Sequence, residues 1–157
     1  MTPLTLDTRP EALDIDLAMT AVIVVDMQNA FASRGGLLDL AGVDIGGANA
    51  VVRTIGGILD AARGARVLVV YLQTGYKPDL SNGGGPASPN PRKETALCLM
   101  RARPELKGQL LVEGTWDFQI IDALAPQAAT IFNVESFFGW TLNSRTLIDA
   151  LGAARAT

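Results

Sequence analysis

Two β-branched apolar runs, with a helix-length stretch between them, constrain this chain more than anything else in it. The runs are Thr20–Asp26 (TAVIVVD) and Arg66–Gln73 (RVLVVYLQ). Each is apolar on both faces, as expected of a parallel strand covered by helices on each side. Between them, residues 46–63 place Val51, Val52, Ile55, Ile58, Leu59 and Ala62 at helical spacing. Gly64 follows as a stop signal. Strand, helix and strand with a crossover of this length make a right-handed βαβ unit. Gly56 and Gly57 weaken that helix by about 1 kcal/mol each relative to Ala, which suggests close packing on the sheet. The 157 residues fit one domain, here 1–157.

The flanking segments are read more coarsely. Residues 1–19 look like an irregular leader, and 29–45 and 74–91 like loops broken by Gly and Pro. Residues 74–91 exceed the ~12–15 residues usual for a loop without structure of its own, which points to a lid or binding loop. Residues 93–103 are helical and stop before Pro104. Thr115 caps a helix over 116–124, with Asp117 favourable in its first turn. TIFNV, 130–134, reads locally as a short strand, the alternative being the end of a helix. Asn143 or Ser144 caps a last helix carrying Leu147, Ile148 and Leu151.

Composition narrows the chemistry. There is no histidine, so no Ser-His-Asp or Cys-His triad and no His-based zinc site is possible. No clustered carboxylate motif supports a metal, and no cofactor is expected. A single cysteine, Cys98, excludes an internal disulfide. A net charge of −3 gives no basic footprint for nucleic acid or a membrane surface. No apolar run nears the ~20 residues of a membrane span, and the N-terminus lacks a signal-peptide core, so the expected location is cytoplasmic.

The first strand ends on an acid. In open α/β sheets ligands bind beyond the carboxyl ends of strands, which makes Asp26 a candidate proton acceptor; the plain alternative is a turn-capping Asp. Gln28 and Asn29 either orient a substrate or satisfy the turn. GGGP at 83–86 is no phosphate loop, since it lacks the following G-K-[ST]. Trp116 and Trp140 read as packing residues.

TAVIVVDMQNAF resembles the first-strand motif of the isochorismatase-like cysteine hydrolases. GGLLDLAGVDI, YLQTGY, GGGPASPN and ALCLMRARPELKGQLLVEGTWDFQIIDALAPQ continue the resemblance over residues 20–127, and NVESFFGW resumes it near Phe132. The G-G-P-x-S-P-N and G-x-W-D-x-Q stretches look like the branch that hydrolyses ureidoacrylate in pyrimidine-ring breakdown. The resemblance implies an α/β, Rossmann-like three-layer sandwich with a parallel sheet. It implies an amidohydrolase that cleaves a C–N bond of a small ureido or amide compound. A Cys thiolate attacks the carbonyl, an Asp takes the thiol proton, and a Lys holds the Asp ionised. By motif match Asp26 is that Asp, and Thr74, Tyr76, Ser88 and Asn90 are loop residues facing the substrate.

The partners are missing from the pattern. The family's Lys and Cys follow its third and fourth strands, but here PQAATIFNVESFFGW runs on directly from Gln127. The implied loss is an internal block of roughly three strands, about half the usual sheet. Cys98 lies within a helix and reads as a small buried hydrophobe. Lys77, Lys93 and Lys107 read as solvated. The expectation is an inactive chain in which Asp26 reaches water or has a raised pKa. The open edge of the first strand would be filled by TIFNV, or else would join a partner or a second copy in a homo-oligomer.

Overall fold

The computed structural model describes residues 4–85, 87–125 and 130–133. The expected last helix and Trp140 lie outside them. The predicted βαβ unit is present. Strand β3 (Ala21–Val25) leads through loops and a helix to β4 (Leu68–Gln73), and the two pair in parallel with Ala21 opposite Leu68 and Val25 opposite Leu72. The crossover helix is α3 (Ala48–Gly64). Val52, Ile55, Leu59 and Ala62 on its inner face pack on Val22, Val24, Val69 and Tyr71. Val51 and Ile58, at the margins of the apolar stripe, are exposed. Tyr71 donates its hydroxyl to the Leu124 carbonyl at 2.6 Å and accepts from Arg63 at 3.0 Å, tying strand, helix and the 122–124 turn together.

The helix ends one residue later than its glycine suggests, and the left-handed position falls two residues beyond it. Gly64 is still helical, and Arg66 takes the left-handed position, φ 57°. The Val67 N–H then closes the turn on the Ala62 carbonyl at 2.8 Å. Neither Gly56 nor Gly57 is needed for close packing. A Cβ at Gly56 would make an ordinary contact with Leu124, and one at Gly57 would meet nothing.

A third strand, β5 (Thr130–Asn133), pairs in parallel with β4, Val70 opposite Thr130. TIFN is therefore a strand, but it lies on the far side of β4 and not against β3. Among the described residues the order is β3-β4-β5, with β3 at an edge. Helix α3 covers only one sheet face. On the other, Ile23 and Val25 are 58% and 54% exposed. The expectation of a first strand covered on both sides is thus met on one side among the described residues.

Other expectations need correction. The N-terminal segment is not irregular: β1 (Leu4–Leu6) and β2 (Leu13–Ile15) form an exposed antiparallel hairpin. Residues 29–45 contain two one-turn helices, α1 (Asn29–Ala32) and α2 (Leu37–Leu40). The 93–103 helix divides into α4 (Asn90–Lys93) and α5 (Thr95–Ala102), which ends before Pro104 as expected. No α-helix forms over 116–124, only a short 3-10 turn at Asp122–Leu124. Asp117 is buried there and accepts the Leu37 N–H at 3.0 Å and the Leu111 N–H at 2.7 Å, so long-range bonds replace a helical ladder. A second core gathers Leu37, Tyr76, Ala96, Leu97, Met100 and Leu111 under these short helices. No helix among the described residues is long and apolar enough to cross a membrane.

Candidate active site

Strand β3 makes its last ladder bond at Asp26, whose N–H donates to the Leu72 carbonyl at 2.9 Å. The chain then turns at once. Asp26 sits at φ 55°, and its carbonyl accepts the Gln28 N–H at 2.8 Å. A left-handed non-glycine residue costs about 1–2 kcal/mol, and Asp tolerates it better than most. The turn carries the carboxylate out of the strand and into a cavity of about 450 Å³. Apolar side chains from Val25, Phe31, Leu37, Leu38, Leu72 and Leu111 form much of its wall, with Thr74, Tyr76, Glu94 and Thr95 among the polar members.

Asp26 is half-buried and has no hydrogen bond or salt bridge to its carboxylate among the described residues. Burial alone pushes its pKa above the ordinary carboxylate value. Both halves of the sequence expectation, contact with solvent and a raised pKa, therefore hold. Tyr76 is pushed well up too, first by burial and then by the nearby negative charge of Glu94, so its phenol stays protonated.

The remaining candidates separate. Thr74 and Tyr76 line the cavity beside Asp26. Gln28 and Asn29 are buried and do not line it. The Gln28 amide donates to the Thr74 carbonyl at 3.0 Å and the Phe118 carbonyl at 2.7 Å, while its oxygen accepts the Thr74 N–H at 2.9 Å. Asn29 donates to the Trp116 carbonyl at 2.9 Å. The two side chains thus hold the 74 and 116–118 segments around the acid, a scaffold role. Ser88 and Asn90 lie off the cavity; the Ser88 hydroxyl accepts the Asn90 N–H at 3.2 Å at the start of α4. Cys98 is also elsewhere, its sulfur 3.8 Å from the Pro91 carbonyl. No lysine lines the cavity among the described residues.

Three contributions were missed in the sequence. Gln73 donates to Phe118 at 2.8 Å and reinforces the Gln28 scaffold. Gly75 sits where a Cβ would come within 2.6 Å of the Leu111 carbonyl, so the wall closes only around a residue without a side chain. Glu94 enters the wall from the residue before α5. The glycine within YLQTGY was the one available signal among them.

The isochorismatase domain model matches residues 20–146. The chain belongs to the isochorismatase family. Two curated relatives are ureidoacrylate amidohydrolases. That of Agrobacterium fabrum is 48% identical over 152 residues, covering 97% of this chain and 66% of the relative. That of Azorhizobium caulinodans is 49% identical over 150 residues, covering 96% and 65%. This isochorismatase-family chain therefore spans just under two thirds of those relatives' length. Among solved structures, a cysteine hydrolase from Pseudomonas syringae pv. phaseolicola is 31% identical with a TM-score of 0.60, covering 87% of this chain and 56% of that one. An isochorismatase family protein from Desulfovibrio vulgaris, 24% identical with a TM-score of 0.58, shares the α/β fold.

Proposed function

We propose that this chain carries the substrate-binding and proton-accepting part of an amidohydrolase site for a small ureido or amide compound, ureidoacrylate being the first candidate. We infer also that by itself it binds such a compound without hydrolysing it. The observation that carries the reading is Asp26: a carboxylate at the carboxyl end of a parallel strand, on a strained turn, unpartnered among the described residues in a largely apolar cavity. Such a group has a raised proton affinity and suits proton transfer. The relatives' names supply the substrate class.

Hydrolysis through the implied mechanism also needs a thiolate to attack the carbonyl carbon and an ammonium to hold Asp26 ionised. Asp26 takes the thiol proton and returns it to the leaving nitrogen. Neither group lines the described cavity, and Cys98 faces Pro91. Two measurements test this. Calorimetric titration with ureidoacrylate is expected to show saturable binding, and an ammonia-release assay to show no turnover above the uncatalysed rate. Turnover that Cys98→Ser abolishes would overturn the second statement; absence of binding would overturn the first.

A second reading rests on the exposed Ile23 and Val25 beside the edge of β3, which is open among the described residues. An unpaired edge with an apolar face is a template for association. In this reading the chain is a non-catalytic module that self-associates there. Sedimentation would show concentration-dependent dimers that Ile23→Lys dissolves; a monomer at every concentration would dismiss it.

A further inference from the structure

The proposed function leaves one charged member of the cavity without a task. Glu94 comes from a different element than Asp26, the residue before α5, and is half-buried in the wall. As the N-cap of α5 its side chain makes no capping hydrogen bond. Its carboxylate has no hydrogen bond or salt bridge among the described residues either. Two other acceptors of the wall are already engaged: the Thr74 carbonyl takes the Gln28 amide, and the Tyr76 carbonyl takes the Glu113 N–H at 2.9 Å. No Lys or Arg lines the cavity among the described residues.

A cavity of this kind selects by what it can accept. Two free carboxylates in a largely apolar wall favour a ligand end rich in N–H donors, and they repel an anionic end. A ureido group, –NH–CO–NH2, presents two parallel N–H bonds on one edge, which fit the two oxygens of a carboxylate as a bidentate pair. The geometry points to Glu94 as the specificity-determining residue that receives the N–H edge of the ureido group, leaving Asp26 for proton transfer and turning the substrate's own carboxylate away from this wall. This inference rests on the proposed function and deepens it. The Tyr76 phenol, kept protonated beside the Glu94 charge, leaves that carboxylate the stronger acceptor on this side of the cavity.

The test compares two probes of matched shape by calorimetry. One is 3-ureidopropionate; the other is 5-oxohexanoate, in which both nitrogens are replaced by carbon. Hydrogen bonds to a charged group contribute enough that the chain should prefer the ureido probe by about tenfold or more. Glu94→Gln, which keeps shape and loses charge, should reduce that preference to about threefold or less. Glu94→Ala should do the same, and thermal melts of both variants check that the fold persists. A preference that survives both substitutions overturns the role of Glu94 and leaves the proposed function standing. No preference in the native chain overturns the role as well. Failure of the native chain to bind ureidoacrylate or either probe brings down the proposed function with it.

Discussion

Replacing Gln28 by Met separates scaffold from substrate contact. Met matches the length of the side chain and removes its three hydrogen bonds. The consequences differ by partner. The Phe118 carbonyl keeps the Gln73 amide at 2.8 Å and stays satisfied. The Thr74 N–H and carbonyl lose their partners at the end of β4, around a side chain with no exposed surface. Each buried group left unpaired costs about 1–3 kcal/mol, so the expected loss for the two is about 2–6 kcal/mol. A domain of this size has about 5–15 kcal/mol in all. In urea, with a slope of about 2 kcal/mol/M, the unfolding midpoint should fall by about 1–3 M at unchanged slope. A midpoint within experimental error of the native one, together with weakened ureidoacrylate binding, would refute the scaffold argument and return Gln28 to the substrate.

Asp117→Asn keeps one acceptor and turns an amide NH2 toward the other of two buried N–H groups, from Leu37 and Leu111; a loss of about 1–3 kcal/mol in urea unfolding is expected. Gly57→Ala, where an added Cβ meets open space in the middle of α3, should raise stability by about 0.5–1 kcal/mol in the same assay. Asp26→Asn should stabilise the fold at pH 7. The native pKa of Asp26 is raised, so the contribution of its neutral form is complete below the ordinary value of 3.8 and is lost as pH rises through the higher folded value. The gap between the variant and the native chain should therefore close below that ordinary value, as read from urea midpoints across pH.

What the sequence revealed and what it hid follow from the range of the interactions. The βαβ unit was legible because the continuous β-branched runs of β3 and β4 and the 3.6-residue stripe of α3 are local patterns. Asp26 was legible because a strand end is visible in a run of Val and Ile. The role of Gln28 was not, since its amide partners lie 46 and 90 positions away. Asp117 misled for the same reason: an acid two residues after a Thr reads as a helix start, whereas its bonds reach back 80 positions to Leu37. The placement of TIFN beside β4 was equally invisible, because a four-residue apolar strand carries no mark of which neighbour it will join.

The central claim is that Asp26 is a proton acceptor held in its cavity without the ammonium that would keep it ionised. Its side-chain carboxyl carbon, followed by NMR across pH and assigned through the Asp26→Asn spectrum, tests this directly. The account predicts a midpoint above 3.8 that is unmoved when Lys77, Lys93 and Lys107 are each replaced by Met. A midpoint below 3.8 that rises on loss of one of those lysines would place a cation at the carboxylate and contradict it.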